Sequence, residues 1–190
     1  MKNRNYIYLN VKRFFDFTFS LISLILLSPL FAIVSIAIKL DSKGPVIFKQ
    51  YRLGKGGKKF KMYKFRSMVL GSETRPGSTL PNDNIVTKLG KFLRITSIDE
   101  LPQLVNILKG EMSLIGPRPS RLEYECFSKE QQRRFEVKPG ITGLSQVNGR
   151  KFLSLDQKCE YDIQYVNSIS FLLDLKIFFI TFLVLTKNNY

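Results

Sequence analysis

Two acids stand side by side at Asp99 and Glu100, within ITSIDELPQLVN (95–106), in a chain with 30 Lys+Arg, 15 Asp+Glu and no histidine. Adjacent carboxylates at such a place have two ordinary uses. Ser97 and Glu100 have the spacing of a capping box, and acids at a helix start complement its dipole. That accounts for Glu100 fully and for Asp99 in part. The other use is chemical. A carboxylate kept ionised by a polarised helix end and a nearby arginine can attack phosphorus or bind Mg²⁺. Arg94 lies five residues before Asp99, with Lys88 and Lys91 behind it. Neighbouring helical positions point in different directions, so the pair suits a division of labour over a shared proton. Spacing leaves cap and nucleophile both open.

Three further stretches carry phosphate-type chemistry. In Gly116-Pro117-Arg118-Pro119 the flanking prolines fix the backbone and present a guanidinium, unless the segment is a plain surface turn. VKPGITGLSQVNGR (137–150) combines a Pro-Gly turn with Gln146, Asn148 and Arg150, a plausible nucleotide or phosphate loop that matches neither the P-loop nor the dinucleotide spacing. YKFRSM (63–68) adds Lys64 and Arg66. Its basic-aromatic alternation also suits nucleic acid, but no recognition helix, zinc spacing or RNP-type motif accompanies it.

Composition narrows the chemistry. Without histidine, acid/base or nucleophilic work falls to Asp, Glu, Lys, Tyr, Ser or Cys, and any metal is expected to be a hard ion such as Mg²⁺. The net charge of +15 calls for a polyanionic partner: nucleic acid, an anionic membrane surface or a phosphorylated small molecule. Cys126 and Cys159 read as reduced thiols, since two cysteines make no disulfide framework here. A length of 190 residues accommodates one domain with a real core.

The elements that must position these groups begin with a membrane segment. Between Asp16 and Lys39 lie 22 uncharged residues, about 33 Å as a helix and enough to cross a bilayer core. Ser28-Pro29 sits at the midpoint, where proline removes a donor and the serine hydroxyl can satisfy the freed carbonyl, so a bend is expected. The run exceeds the apolar region of a secretory signal. Both flanks are basic (Lys2, Arg4, Lys12 and Arg13 before; Lys39, Lys43, Lys49 and Arg52 after), so both sides claim the cytoplasm. Length alone favours a plain transmembrane span, whereas a re-entrant hairpin over residues 1–40 satisfies both flanks and is the preferred reading. A second apolar run near 170–187 is interrupted by Asp174 and Lys176, which suits an interfacial amphipathic helix or a buried core helix. Two β-rich segments flank a turn at Leu53–Lys59. Residues 71–84 read as a loop, an inert connector or a mobile lid. Capping boxes Ser97-x-x-Glu100, Ser128-x-x-Gln131 and Ser154-x-x-Gln157 each announce a helix, the last with Leu155, Cys159, Ile163 and Val166 on one face. The expected fold is mostly α with a small β-hairpin (α+β).

RFFDF…SLILLSPL, FKMYKFRSM, SIDELPQLVNILKGEMSLIGPRP, VKPGITGLSQVNGR and YDIQYVNSISFLLDLKI occur in this order over nearly the whole chain. Together they resemble the bacterial sugar transferase family, small monotopic phosphoglycosyl transferases that start glycan assembly on polyprenol phosphate. The resemblance implies transfer of a sugar-1-phosphate from a UDP-sugar to undecaprenyl phosphate, with release of UMP and a requirement for Mg²⁺. It makes Asp99 the nucleophile of a covalent phosphosugar intermediate and gives Glu100, with Asp99, the metal. Arg94, Arg118 and Arg150 would hold phosphate oxygens, with Lys64 and Arg66 assisting and Gln146 and Asn148 beside the nucleotide. It implies a re-entrant hairpin broken at Ser28 and Pro29, a cytosolic or interfacial catalytic domain over 41–190, and a place on the cytoplasmic face of the bacterial inner membrane. Nucleic acid is not an expected partner. The chain lacks the multi-span N-terminal region of larger relatives and is expected to be a minimal catalytic form. Leu144-Ser145 stands where members often carry an aromatic, which leaves the donor sugar open. The competing reading is a non-catalytic membrane-bound adaptor, which gives Asp99 and Glu100 no role.

Overall fold

A computed structural model describes residues 4–69, 85–149 and 152–186; the 71–84 loop and Arg150 lie outside them. The chain opens with helices α1 (Arg4–Leu26) and α2 (Ser28–Asp41), followed by strands β1 (Ile47–Leu53) and β2 (Lys59–Phe65). Helix α3 (Lys88–Ile95), a 3₁₀ turn (Ile98–Glu100), α4 (Gln103–Leu108) and β3 (Ser113–Ile115) come next. After 3₁₀ turns at Tyr124–Cys126 and Gln131–Glu136 the chain ends in β4 (Gly140–Thr142), α5 (Leu144–Val147), α6 (Leu155–Ser168) and α7 (Phe171–Thr186). The protein is mostly helical with two small sheets.

The break expected at Ser28-Pro29 is present, and α1 and α2 are bent by 62°. In a continuous helix the amide of Pro29 would bond the carbonyl of Ile25. Proline has no N–H, and the Ser28 hydroxyl donates to that carbonyl instead, at 2.8 Å. The result is a wide V, not an antiparallel pair. Among the described residues no single helix is long and apolar enough to cross a membrane.

β1 and β2 form the expected antiparallel hairpin, with Ile47 opposite Phe65 and Leu53 opposite Lys59. Its turn runs through Gly56 and Gly57 at φ 66° and 73°, which L side chains resist. Along β2 the period of two puts Phe60, Met62 and Lys64 on one face. Phe60 and Met62 pack with Leu104, Ile107 and Met112, so Lys64 is carried over the same side of α4. Buried Asn106 pins the two together: its side chain accepts from the Tyr63 amide (3.0 Å) and donates to the Lys61 carbonyl (2.7 Å).

A second, parallel sheet escaped the sequence reading. Ser113 pairs with Gly140 and Ile115 with Thr142. The strands are three residues each and lack a period-two pattern long enough to read. Glycines permit the contact: a Cβ on Gly140 would sit 2.2 Å from the Gly116 amide nitrogen.

The C-terminal helices depart from expectation in the faces they bury. α6 has its capping box at Ser154 and Gln157, and Ser128 with Gln131 exchange the same two bonds before the 3₁₀ turn. The buried face of α6 is Cys159, Asp162, Tyr165 and Val166, whereas Leu155 is exposed. Two polar groups lie on that face because each is satisfied there. Tyr165 donates to Asp174 at 2.7 Å, and Asp162 pairs with Arg134 at 2.6 Å. In α7 Asp174 turns inward, where it also accepts from Tyr8 and from Lys12, both at 2.6 Å. The outward side of α7 exposes the apolar Leu172, Phe179, Phe182 and Leu183 as well as Lys176, and α1 and α2 also expose apolar side chains (Phe14, Ile25, Leu26, Ile33). Lys12 and Arg13, counted above among the basic flanks, are internal anchors: Arg13 donates to the Leu108 carbonyl at 2.9 Å, at the end of α4.

Gly140→Ala is expected to destabilise the fold by about 2 kcal/mol through overpacking against Gly116. Denaturant unfolding measures this; a loss under about 0.5 kcal/mol would show that the backbones can separate without cost.

Candidate active site

The acidic pair does not start a helix. Ser97 has φ 57°, and it is the sole non-glycine residue with positive φ among the described residues. It ends α3 in the left-handed conformation that follows many helix C-termini, and a residue so placed cannot also adopt the extended backbone of an N-cap. Its side chain makes no cap bond, and α4 begins only at Gln103, after Pro102. Asp99 and Glu100 occupy the 3₁₀ turn between two helices, so their electrostatics come from side chains and burial, not from a helix dipole.

Glu100 is held by two cations on one oxygen. Lys64 Nζ lies 2.6 Å and Arg118 Nη2 2.8 Å from Oε1. Burial alone would raise its pKa, but Arg118 and Lys64 outweigh burial and hold the carboxyl well below the usual range. Asp99 is 7% exposed and goes the other way. Burial and the neighbouring Glu100 push it up to about 6, against the pull of Lys64, Arg94 and Arg118. The two carboxylates are thus differentiated: one is a fixed anion, the other a desolvated, more basic group with a proton to lose near neutrality.

Arg118 is aimed by a stitched backbone. The Gly140 amide donates to the Pro117 carbonyl (2.9 Å), the Gly116 amide to Thr142 (2.9 Å), and the Leu53 amide to Ser120 (3.1 Å). Behind it, Arg134 donates from Nη2 to the Arg118 carbonyl at 3.1 Å. Arg94 extends from the last turn of α3, with Nη2 3.7 Å from the Met68 sulfur.

The structure therefore brings together Asp99, Glu100, Lys64, Arg94 and Arg118. It places three other candidates elsewhere. Buried Arg66 donates to the Ile38 and Ser42 carbonyls at the end of α2, at 3.3 and 2.6 Å, where its charge suits the helix C-terminus. Gln146 donates to the Ile141 carbonyl (2.7 Å) and Asn148 to that of Leu144 (2.8 Å), both within their own turn. Arg52 and Arg121, unselected from sequence, lie beside Arg118: Arg52 reaches the Pro119 carbonyl at 3.4 Å, and Arg121 is three residues on. Their signal was weak, one arginine within a hairpin strand and one after a turn. Among the described residues no three Asp, Glu, His or Cys side chains cluster as metal ligands.

The profile of the family described as bacterial sugar transferase matches residues 7–188. The sugar transferase EpsL of Bacillus subtilis is 45% identical over 172 residues, 90% of this chain and 85% of EpsL. The UDP-glucose:undecaprenyl-phosphate glucose-1-phosphate transferase of Klebsiella pneumoniae is 45% identical over 180 residues, 90% of this chain but 39% of that enzyme. The UDP-N-acetylgalactosamine-undecaprenyl-phosphate N-acetylgalactosaminephosphotransferase of Aeromonas hydrophila is 42% identical over 92% of this chain and 43% of its own length. The chain thus spans about two fifths of these two larger relatives. The chain belongs to the bacterial sugar transferase family. By class it is a phosphoglycosyl transferase.

The raised Asp99 pKa has a stability consequence. Ionising Asp99 costs the folded state, so its favourable contribution is present below about pH 3.8 and lost as pH rises through about 6. Asp99→Asn is expected to stabilise the protein at pH 7.5 by about 2 kcal/mol, with the gain gone near pH 4. Thermal melts across pH measure it; a variant less stable than the parent at pH 7.5 would contradict the assignment.

Proposed function

We propose that the chain transfers a sugar-1-phosphate from a UDP-sugar to undecaprenyl phosphate and releases UMP. The observation that carries the reading is the desolvated Asp99 next to an ion-paired Glu100 and three cations, on a chain at least 42% identical to two relatives named for such reactions. Phosphoryl transfer asks for charge neutralisation and positioning more than proton shuttling, so a site without histidine suffices.

Asp99 Oδ attacks the donor β-phosphorus. The bond from that phosphorus to the oxygen bridging to the α-phosphate breaks, and its electron pair leaves with UMP. A phosphate oxygen of undecaprenyl phosphate then attacks the same phosphorus, and the P–O bond to Asp99 breaks, which restores the carboxylate. Arg118 and Arg94 neutralise the equatorial oxygens, and Arg150 is assigned the same work. Lys64 keeps Glu100 ionised and in place. Mg²⁺ fits the donor set, because this ion binds through one or two carboxylates plus substrate phosphates. Asp99 and Glu100 would hold it, and it would supply further neutralisation of phosphate charge.

A lipid acceptor suits the surface. The apolar outward faces of α1, α2 and α7 would rest in the bilayer as a re-entrant, monotopic anchor, with residues 41–190 on the cytoplasmic face of the inner membrane. The acceptor phosphate then lies at the depth of the basic body.

The test is UMP release by purified protein, with undecaprenyl phosphate, across a panel of UDP-sugars. Release is expected with at least one donor, and kcat/KM is expected to fall below about pH 6 as Asp99 protonates. Asp99→Asn should lose about 10³-fold or more. No release from any donor, or full activity of Asp99→Asn, would reject the reading.

A further inference from the structure

We propose that Arg52 and Arg121, on either side of the Pro119–Ser120 backbone beside Arg118, form a second phosphate-binding subsite next to the acidic pair. The inference rests on the phosphoryl-transfer reading of that pair and adds two residues to it.

The geometry is built, not incidental. The last residues of β1 are tied to the segment after Arg118: the Leu53 amide donates to the Ser120 carbonyl at 3.1 Å, and Arg52 Nη1 approaches the Pro119 carbonyl at 3.4 Å. Gln50 holds the Arg52 Nη2 at 2.8 Å. The guanidinium is thus fixed in orientation by two neutral acceptors, which use two of its five N–H groups. Arg118 precedes the stitched Pro119–Ser120 pair, and Arg121 follows it on the exposed rim. A sharply ordered chain therefore gathers three guanidinium groups around two residues.

Charge bookkeeping makes the cluster incomplete. Lys64, Arg94, Arg118, Arg52 and Arg121 surround two carboxylates, Asp99 and Glu100. Glu100 is already shared by Lys64 and Arg118. Among the described residues neither Arg52 nor Arg121 is paired with a carboxylate. Burial and the like charges of Arg121 and Arg118 push Arg52 from its ordinary range down to about 9, and partial burial with Arg118 and Arg94 lowers Arg121. Like charges held this closely by the backbone disfavour one another until an anion enters. Guanidinium forks match phosphate oxygens two at a time. One phosphate is the group under attack at Asp99. The second ligand is another phosphate of the same reaction, either the nucleotide-side phosphate of the donor or the phosphate of the lipid acceptor.

The test uses the full chain in detergent or nanodiscs, with Arg121→Gln, which is exposed and should melt like the parent, and Arg52→Lys, which keeps the charge but loses the fork. UDP binding is titrated directly, UMP release is followed in a single turnover without acceptor, and the KM for undecaprenyl phosphate is measured at saturating donor. If the subsite takes the donor phosphate, UDP binds about tenfold more weakly to each variant and the acceptor-free release slows. If it takes the acceptor phosphate, UDP binding and acceptor-free release hold while that KM rises by a similar factor. All three quantities staying within about twofold of the parent in both variants would overturn the proposal. Direct titrations of UDP and of undecaprenyl phosphate read the donor-side and acceptor-side alternatives even if no sugar donor is turned over, so failure of the reaction and failure of the subsite are separate results.

Discussion

The site depends on one oxygen atom. Glu100 Oε1 joins Lys64 from the hairpin, Arg118 from the Pro-Arg-Pro segment and the 3₁₀ turn that carries Asp99. Each of these pieces is too short to hold its own geometry: a two-stranded sheet, a three-residue turn and an irregular loop. The half-buried carboxylate fixes all three at once. Removing Lys64, the better buried of the two partners, would strand charge in a partly desolvated place. It would also move the field around Asp99. The same bridge makes the two acids unequal. Glu100 spends its charge on structure, and Asp99, more buried and without such close partners, retains a higher proton affinity.

A second polar knot plays the matching part among the first and last helices. Asp174 of α7 gathers Tyr8 and Lys12 of α1 and Tyr165 of α6 within 2.6 to 2.7 Å. Asp16, one turn along α1, accepts from the Leu114 amide of β3 at 3.1 Å. Helices whose outward faces are largely apolar have little intrinsic reason to prefer one rotation about their axes. Inward charges satisfied at one place supply that preference, because an unsatisfied buried carboxylate is far costlier than a slightly misplaced leucine. The knot reaches β3, which leads directly into Gly116 and Arg118. The apolar helices and the segment that carries Arg118 are therefore parts of one packed unit.

Much of this was legible in the residues. Proline at position 29 could only break the helix, and the serine before it supplied the missing donor. The hairpin was readable from its glycine turn, and the acidic pair from its oddity among cations. What failed has a common cause. Ser97, Asp174 and Arg66 were read by local rules, as a cap, an interface charge and a phosphate ligand. Each is governed by a distant or competing partner: the end of α3, the side chains of α1, and the end of α2. The β3–β4 pairing and the Asn106 clasp are likewise long-range, and no short window encodes them. Arg52 and Arg121 become visible only once β1 is seen stitched to Ser120.

The central claim is that Asp99 forms a bond to phosphorus. The direct measurement is to incubate the purified protein with a UDP-sugar labelled in its β-phosphate, without acceptor, then quench, digest and map the label. The account predicts label on the peptide containing Asp99, at most one per chain, lost on addition of undecaprenyl phosphate and absent from Asp99→Asn. UMP released in that single turnover with no label on protein, or label mapped to another residue, would contradict it.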